Sequence, residues 1–389
     1  MTEWKNDAVA AKDVSGRMKH RVRLLDAAEN EKTRELYRKV FREDSERFVE
    51  YYYHKKTREN RIYVVESEEG EILSMLHLNP YLVRLGRLET FGEYVVAVAT
   101  DENYRHQGMM RSLLKASLED MRRIGEPFAF LMPADEAIYH PFGFRFIYRQ
   151  NRSILDTGAV RKKPGLCCQS AGKEDLNRLE EFANAYLSKH YRSFAFHTRE
   201  YFETLLEEQK CQNGEVVMLM KEGEVCGWFF TALEDGAEVR EAVIEDGYEE
   251  YLGPAIAGHL PEYEKIKLYG FPKSVQEEQE EEPLIMGRII NPQQFAAGLR
   301  AEEKVTFVFE LQDSLLEENS GIYRFSADRE GGSMEKCTDT EPAFSIGIDV
   351  FTELAFGMRS AEEAGMPDQI AREWKKVQDL TPVLFNEIV

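Results

Sequence analysis

At 389 residues the chain is too long for one hydrophobic core, and two or three domains are expected. Hydrophobic residues make up 43%, and the best apolar run, YVVAVA at 94–99, has the length of a strand and excludes a membrane-spanning helix there. The formal net charge of −21 keeps the protein soluble; it also repels nucleic acid and anionic lipid and attracts small cations.

The first residues, MTEWKNDAVAAKDVSG, lack a basic segment followed by an apolar one, which predicts a cytoplasmic protein. A helix is predicted over 29–41, with Leu36, Val40 and Phe41 near one face. IYVVESEEGEILSMLHL at 62–78 reads as two strands around a Glu-Glu-Gly turn. A strand ends at Thr100, and YRHQGMMR at 104–111 opens a helix with apolar positions Met110, Leu113, Leu114, Leu118, Met121 and Ile124. Gly125 and Pro127 stop that helix, and PFAFLMP at 127–133 is the next strand. A strand–helix–strand crossover predicts that the two strands lie parallel. AIYHPFGFRF at 137–146 reads as a short helix or turn running into a final strand.

After a connector at 158–166, a second block repeats the style. Helices are predicted at 174–187, 198–209 and near 248–258, with a hairpin at 215–233. This block has no second Arg-x-x-Gly junction, so as a copy of the first it has lost the anion site. VQEEQEEEP at 275–283 reads as a linker. IMGRII at 285–290 opens a third unit, a small α+β domain with a helix at 292–299 and strands at 304–313 and 321–326. Its later part comprises the stretch 344–357 and an amphipathic C-terminus. The five cysteines, at 167, 168, 211, 226 and 337, suggest neither a disulfide framework nor a zinc site, and the histidines form no metal-ligand pattern.

A helix start offers unpaired N–H groups and a partial positive charge, which suits phosphate. Gly108 lets a bulky anion approach the backbone, and Arg105 and Arg111 add charge. Alone, Arg-x-x-Gly is also an ordinary helix-initiating turn. Followed by a strand and then Ile-Tyr-x-x-Phe-Gly-Phe, it resembles the GNAT superfamily of N-acetyltransferases. The resemblance implies that Arg105, His106, Gln107, Gly108, Met109, Met110 and Arg111 hold the pyrophosphate of acetyl-CoA. It also implies that Val98, Ala99 and Thr100 bind the pantetheine, and that Tyr139 is the general acid. Met110 stands where that superfamily usually has Gly or Ala.

RHQGMMRSLL together with IYHPFGFRF resembles the Eis (enhanced intracellular survival) group. That implies an α+β chain of tandem GNAT domains, the second degenerate, followed by a sterol-carrier-protein-like domain. The boundaries then fall at 1–157, 158–282 and 283–389. It also implies that the C-terminal carboxylate, on Val389, is the general base. Glu93, Asp135 and Glu136 are alternative bases, and a frayed terminus is the alternative for the tail. The acidic charge suits a cationic amine acceptor (a polyamine, an aminoglycoside or a lysine side chain), with no metal, nucleic acid or membrane partner. Hexamers are known in the group, so a homo-oligomer is an expectation of the resemblance. The competing function is a catalytically degenerate scaffold that carries an apolar ligand.

Overall fold

A computed structural model of the chain describes residues 21–234, 236–272 and 280–385. The segment read for a leader and Val389 lie outside the described residues. The fold is mixed α and β, as expected.

The first half begins with β1 (Val22–Leu24), α1 (Arg34–Val40), α2 (Glu46–His54) and β2 (Arg61–Glu66). The predicted hairpin is present as β2 paired with β3 (Ile72–Leu85), and β3 runs on past its sequence signal. β3 then pairs with β4 (Leu88–Thr100) from Ser74–Thr100 to Leu85–Leu88, a second hairpin that the sequence reading lacked. Next come α3 (Met109–Ile124) and β5 (Phe128–Leu131), and β5 runs parallel to β4. Leu113, Leu114, Leu118 and Met121 of α3 are fully buried. Each such side chain stabilises the fold by about 1.5–3 kcal/mol. α4 (Glu136–Tyr139) and a 3-10 turn lead into β6 (Arg145–Asp156).

The second half repeats this order. It contains β7 (Cys167–Ser170), α5 (Leu176–His190), β8 (Ser193–Ala195), α6 (Arg199–Cys211), β9 (Val216–Lys221) and β10 (Glu224–Ala232). It continues with β11 (Glu238–Ile244), α7 (Glu249–His259), β12 (Lys265–Tyr269) and β13 (Glu280–Ile289). β11 and β12 had no signal in the sequence reading.

The halves exchange their last strands. β6, from the first half, pairs with β12 of the second, while β13 pairs with β5 of the first. β6 and β13 also pair with each other, so one continuous sheet runs through both halves in the order β1-β2-β3-β4-β5-β13-β6-β12-β11-β10-β9-β7. Two sequence readings are corrected here. Glu280–Pro283 is strand rather than linker, because its backbone hydrogen-bonds to Arg149–Arg152 of β6 and needs no buried side chains. Residues 275–279 of that reading lie outside the described residues. IMGRII completes the large sheet rather than opening the third unit.

The third unit contains α8 (Pro292–Phe295), β14 (Arg300–Ala301), β15 (Val305–Gln312), β16 (Gly321–Ala327) and β17 (Gly332–Lys336). It ends with β18 (Ser345–Gly347), α9 (Ile348–Ala355), α10 (Asp368–Trp374), β19 (Val377–Gln378) and β20 (Val383–Leu384). In 344–357 only three residues are strand; FTELA is helix, with Phe351, Leu354 and Ala355 turned inward. Phe307, Phe325 and Trp374 pack ring on ring at 5.1–6.2 Å.

The chain then returns to the first half. β20 pairs with β8, which itself pairs with β3. The Phe385 ring lies 4.9 Å from Phe130 and 6.0 Å from Phe128, and it is fully buried. Phe385→Ala removes a ring from a site that cannot readily collapse. It should cost about 3–5 kcal/mol, read as a lower midpoint in urea unfolding.

Candidate functional site

β4 leaves β5 part-way along its length. The two strands pair at Glu93–Ala129 and Tyr94–Phe130, and the ladder stops there. Just beyond, Ala97 has φ 49, and the register against β3 shifts between Met75 and His77. A non-glycine residue held at positive φ costs of order 1–2 kcal/mol. Here it bends β4 away and leaves Val98, Ala99 and Thr100 with an edge that β5 does not cover. This bulge was not legible from the sequence, because Val-Ala-Val-Ala-Thr alternates like any strand.

The open edge ends at the start of α3. Arg105, His106, Gln107 and Gly108 are exposed there. His106 (φ 62) and Gly108 (φ 85) both take the left-handed conformation, which turns successive N–H groups outward. The N-cap residue, Gly108, has no side chain with which to cap the helix. A Cβ at Gly108 would meet nothing within 4 Å, so the space beside it is open. Arg105 reaches back to the Thr100 carbonyl at 3.4 Å. Arg111 stands over the Phe142 ring at 5.8 Å and so joins the helix start to the turn that carries Tyr139. Met109 is buried and Met110 half-buried against the same core, so neither of these two side chains faces an anion. These features fit a coenzyme bearing a pyrophosphate.

Tyr139 ends α4, is 8% exposed, and packs in one cluster with Met109, Val95 and Leu131. Burial pushes its phenol up to about 12. Among the described residues its hydroxyl has no hydrogen-bond partner. It is therefore protonated at neutral pH and free to donate.

The alternative bases are placed differently. Asp135 caps Ala137 N at 2.9 Å, and Glu136 is exposed. Glu93 is buried and paired with Arg61 at 2.8 Å, and Arg61 also holds Glu126 just past the carboxyl end of α3. α3 has 16 residues, so about 24 Å of helix separates that end from Gly108. Val389 lies outside the described residues.

On the sheet face opposite α3, a cavity of about 570 Å³ opens between the two halves. Its walls include Lys56, Asn79, Tyr81, Phe91, Tyr201 and Glu208. The Tyr81 ring lies 5.9 Å from Phe130, where β4 and β5 part. Asn79 is 3% exposed, and neither of its amide atoms has a partner among the described residues. The lining of this cavity comes mainly from β3, α6 and the turn after α2, and no local sequence pattern links them.

The second half carries the same bulge in a different state. Glu241 has φ 47, and β11 pairs with β12 only from Glu238 to Arg240. The helix start that follows is closed to anions. The Glu249 carboxylate accepts from Gly247 N at 2.9 Å, with Asp246 beside it. The gap beyond Arg240 holds a cavity of about 210 Å³ lined partly by Val383 and Leu384 of the tail. Among the described residues there is no cluster that could hold a metal ion, and no helix is long and apolar enough to cross a membrane.

Comparison with known proteins agrees with this geometry. Residues 21–147 match the acetyltransferase (GNAT) domain family, and residues 293–386 match the sterol carrier protein domain family. A curated relative from Streptomyces avermitilis, an uncharacterized N-acetyltransferase, is 31% identical over 67 residues, which is 17% of this chain and 16% of that protein. Whole-chain similarity appears in solved structures. A probable N-acyltransferase from Enterococcus faecalis has a TM-score of 0.79 at 19% identity, covering 92% of this chain and 97% of the other. Eis1 from Mycobacterium abscessus has a TM-score of 0.68 at 15% identity, covering 92% and 96%. Those likenesses show a shared fold.

Two outcomes are expected. Gly108→Val forces a branched side chain into positive φ at the start of α3 and so distorts the turn that presents the amides. It should abolish the rise in Tm that acetyl-CoA gives the wild type, read by thermal shift. Burial raises the Glu93 carboxyl from 4.5 to about 7. Between those values the folded state binds a proton that the unfolded state has lost, so stability falls as pH rises through this window. Relative to wild type, Glu93→Gln should gain stability between pH 5 and 8, read by urea unfolding at each pH.

Proposed function

Proceeding from a chain that carries a GNAT acetyltransferase domain and a sterol carrier protein domain, we propose that it transfers the acetyl group of acetyl-CoA to a primary amine. The acceptor is a cationic small molecule or a lysine side chain. The observation that carries this reading is the edge of β4 left open beyond Tyr94 and leading to the start of α3, with Tyr139 in the same buried cluster as Val95 and Met109.

Acetyl-CoA would supply an activated thioester. Within the protein, the amides from Gly108 to Arg111 and the Arg105 guanidinium bind the pyrophosphate, and the backbone of Val98, Ala99 and Thr100 orients the pantetheine. Tyr139 gives its proton to the leaving sulfur, whose conjugate thiol titrates near 8.5. The acceptor enters through the cavity beside Tyr81, whose wall sets Glu59, Glu200, Glu203 and Glu208 against Lys55, Lys56 and Arg58. An ammonium must lose a proton before it attacks, and we assign that task to the Val389 carboxylate. Phe385, four residues earlier, packs beside Phe130. Four residues reach about 13 Å, enough to approach the parting of β4 and β5.

The same proposal divides the chain at 157/158. It moves the second boundary from 282/283 to just after Ile289, because β13 completes the large sheet. An apolar-ligand carrier is the weaker reading. It draws on the sterol carrier match, while the ring-on-ring packing of the third unit disfavours it.

A panel of amines assayed for free CoA release should give turnover with at least one cationic amine, and the absence of turnover across the panel would contradict the proposal. With the best amine, Tyr139→Phe should lower kcat by about 10²–10⁴-fold and leave acetyl-CoA affinity unchanged. Amidation of the C-terminal carboxylate should also cut kcat without loss of coenzyme binding. Full activity after amidation would remove Val389 from the mechanism.

A further inference from the structure

One buried ion pair has no part in the chemistry above. The side chains of Arg288 and Asp313 are each 1% exposed. Arg288 Nη2 donates to both oxygens of Asp313, at 2.8 and 2.7 Å. Taking two charges out of water is costly, and such a pair seldom outdoes apolar packing in stability alone. Arg288 stands on β13 among the buried residues Ile285, Met286 and Ile289, and Asp313 follows β15 in the third unit.

The free arm of Arg288 leads to Tyr139. Its Nη1 donates to the Phe142 carbonyl, inside the turn that carries the tyrosine. A Cβ at Gly143 would meet that nitrogen at 2.0 Å. The glycine of the Tyr-x-x-x-Gly-Phe motif therefore gives the guanidinium room to lie against the turn, in addition to taking φ 80. The third unit grips the turn again through Asp349, which pairs with Arg145, while Arg145 Nη1 donates to the His140 carbonyl at 3.1 Å. The network also reaches the coenzyme helix. Asn319 donates to Asp313 at 2.9 Å and accepts from Arg122 of α3 at 2.7 Å.

We propose that Arg288, held by Asp313, is a positioning residue for Tyr139, and that the sterol-carrier-like unit serves as a brace for the general acid. This rests on the acetyl-transfer reading.

A double-mutant cycle tests it, with kcat and the KM for acetyl-CoA measured for Arg288→Lys, Tyr139→Phe and the pair. Arg288→Lys keeps a charge for Asp313 but cannot also reach Phe142 with a planar fork. It should lower kcat by about 10- to 100-fold with KM unchanged. In the Tyr139→Phe background the same substitution should change kcat by less than about twofold, because the group it positions is gone. Equal losses in both backgrounds would mean that Arg288 supports the fold only, and would overturn the proposal. Asp313→Asn loosens the hold on Arg288 without touching the turn itself, and it replaces Arg288→Lys in the cycle if the lysine variant does not fold. Wild-type turnover by Tyr139→Phe would instead sink the general-acid assignment itself, an outcome distinct from equal losses.

Discussion

The exchange of β6 and β13 is the constraint on which the rest depends. A parallel β4–β5 pair that separates after Tyr94 and Phe130 has lost part of its ladder. The other edge of β5 must then hold it in place, and β13 does so over four paired residues from Phe128 to Leu131. Because β13 comes from the second half, neither half can complete its sheet alone. The same strand carries Arg288, so the support of β5 and the support of the Tyr139 turn share one element.

The two halves share an order of elements and a bulge, yet differ in electrostatics. The first presents amides and arginines at a left-handed glycine. The second fills the equivalent space with its own Glu249 and lines the gap beside β11 with the tail and a buried His197–Glu241 contact of 2.5 Å. The amides and arginines at the first helix start favour an anion, and the Glu249 carboxylate at the second disfavours one.

Much of the first half was legible in the sequence because its signals are local. The apolar spacing of α3 and the glycines at 108, 125 and 143 are decided within a few residues. The long β3–β4 hairpin was only partly legible, since its distal half alternates weakly. β13 was misread because Glu280, Glu281 and Glu282 resemble a solvated run, whereas strand pairing with β6 is a backbone matter. Arg288 left a signal that went unused, a lone charge inside Leu-Ile-Met-Gly-Arg-Ile-Ile. Its partner lies 25 residues away, and no periodicity links them. The cavity beside Tyr81 depends on two elements meeting across the halves, which no local pattern encodes.

The central claim is that the first half alone receives the coenzyme, on the edge that β4 exposes. Amide hydrogen exchange with and without acetyl-CoA tests it most directly. The account predicts added protection at Val98–Thr100 and at His106–Arg111, with none at Gly247–Tyr251. Protection centred on the second helix start, or absent from β4, would contradict it.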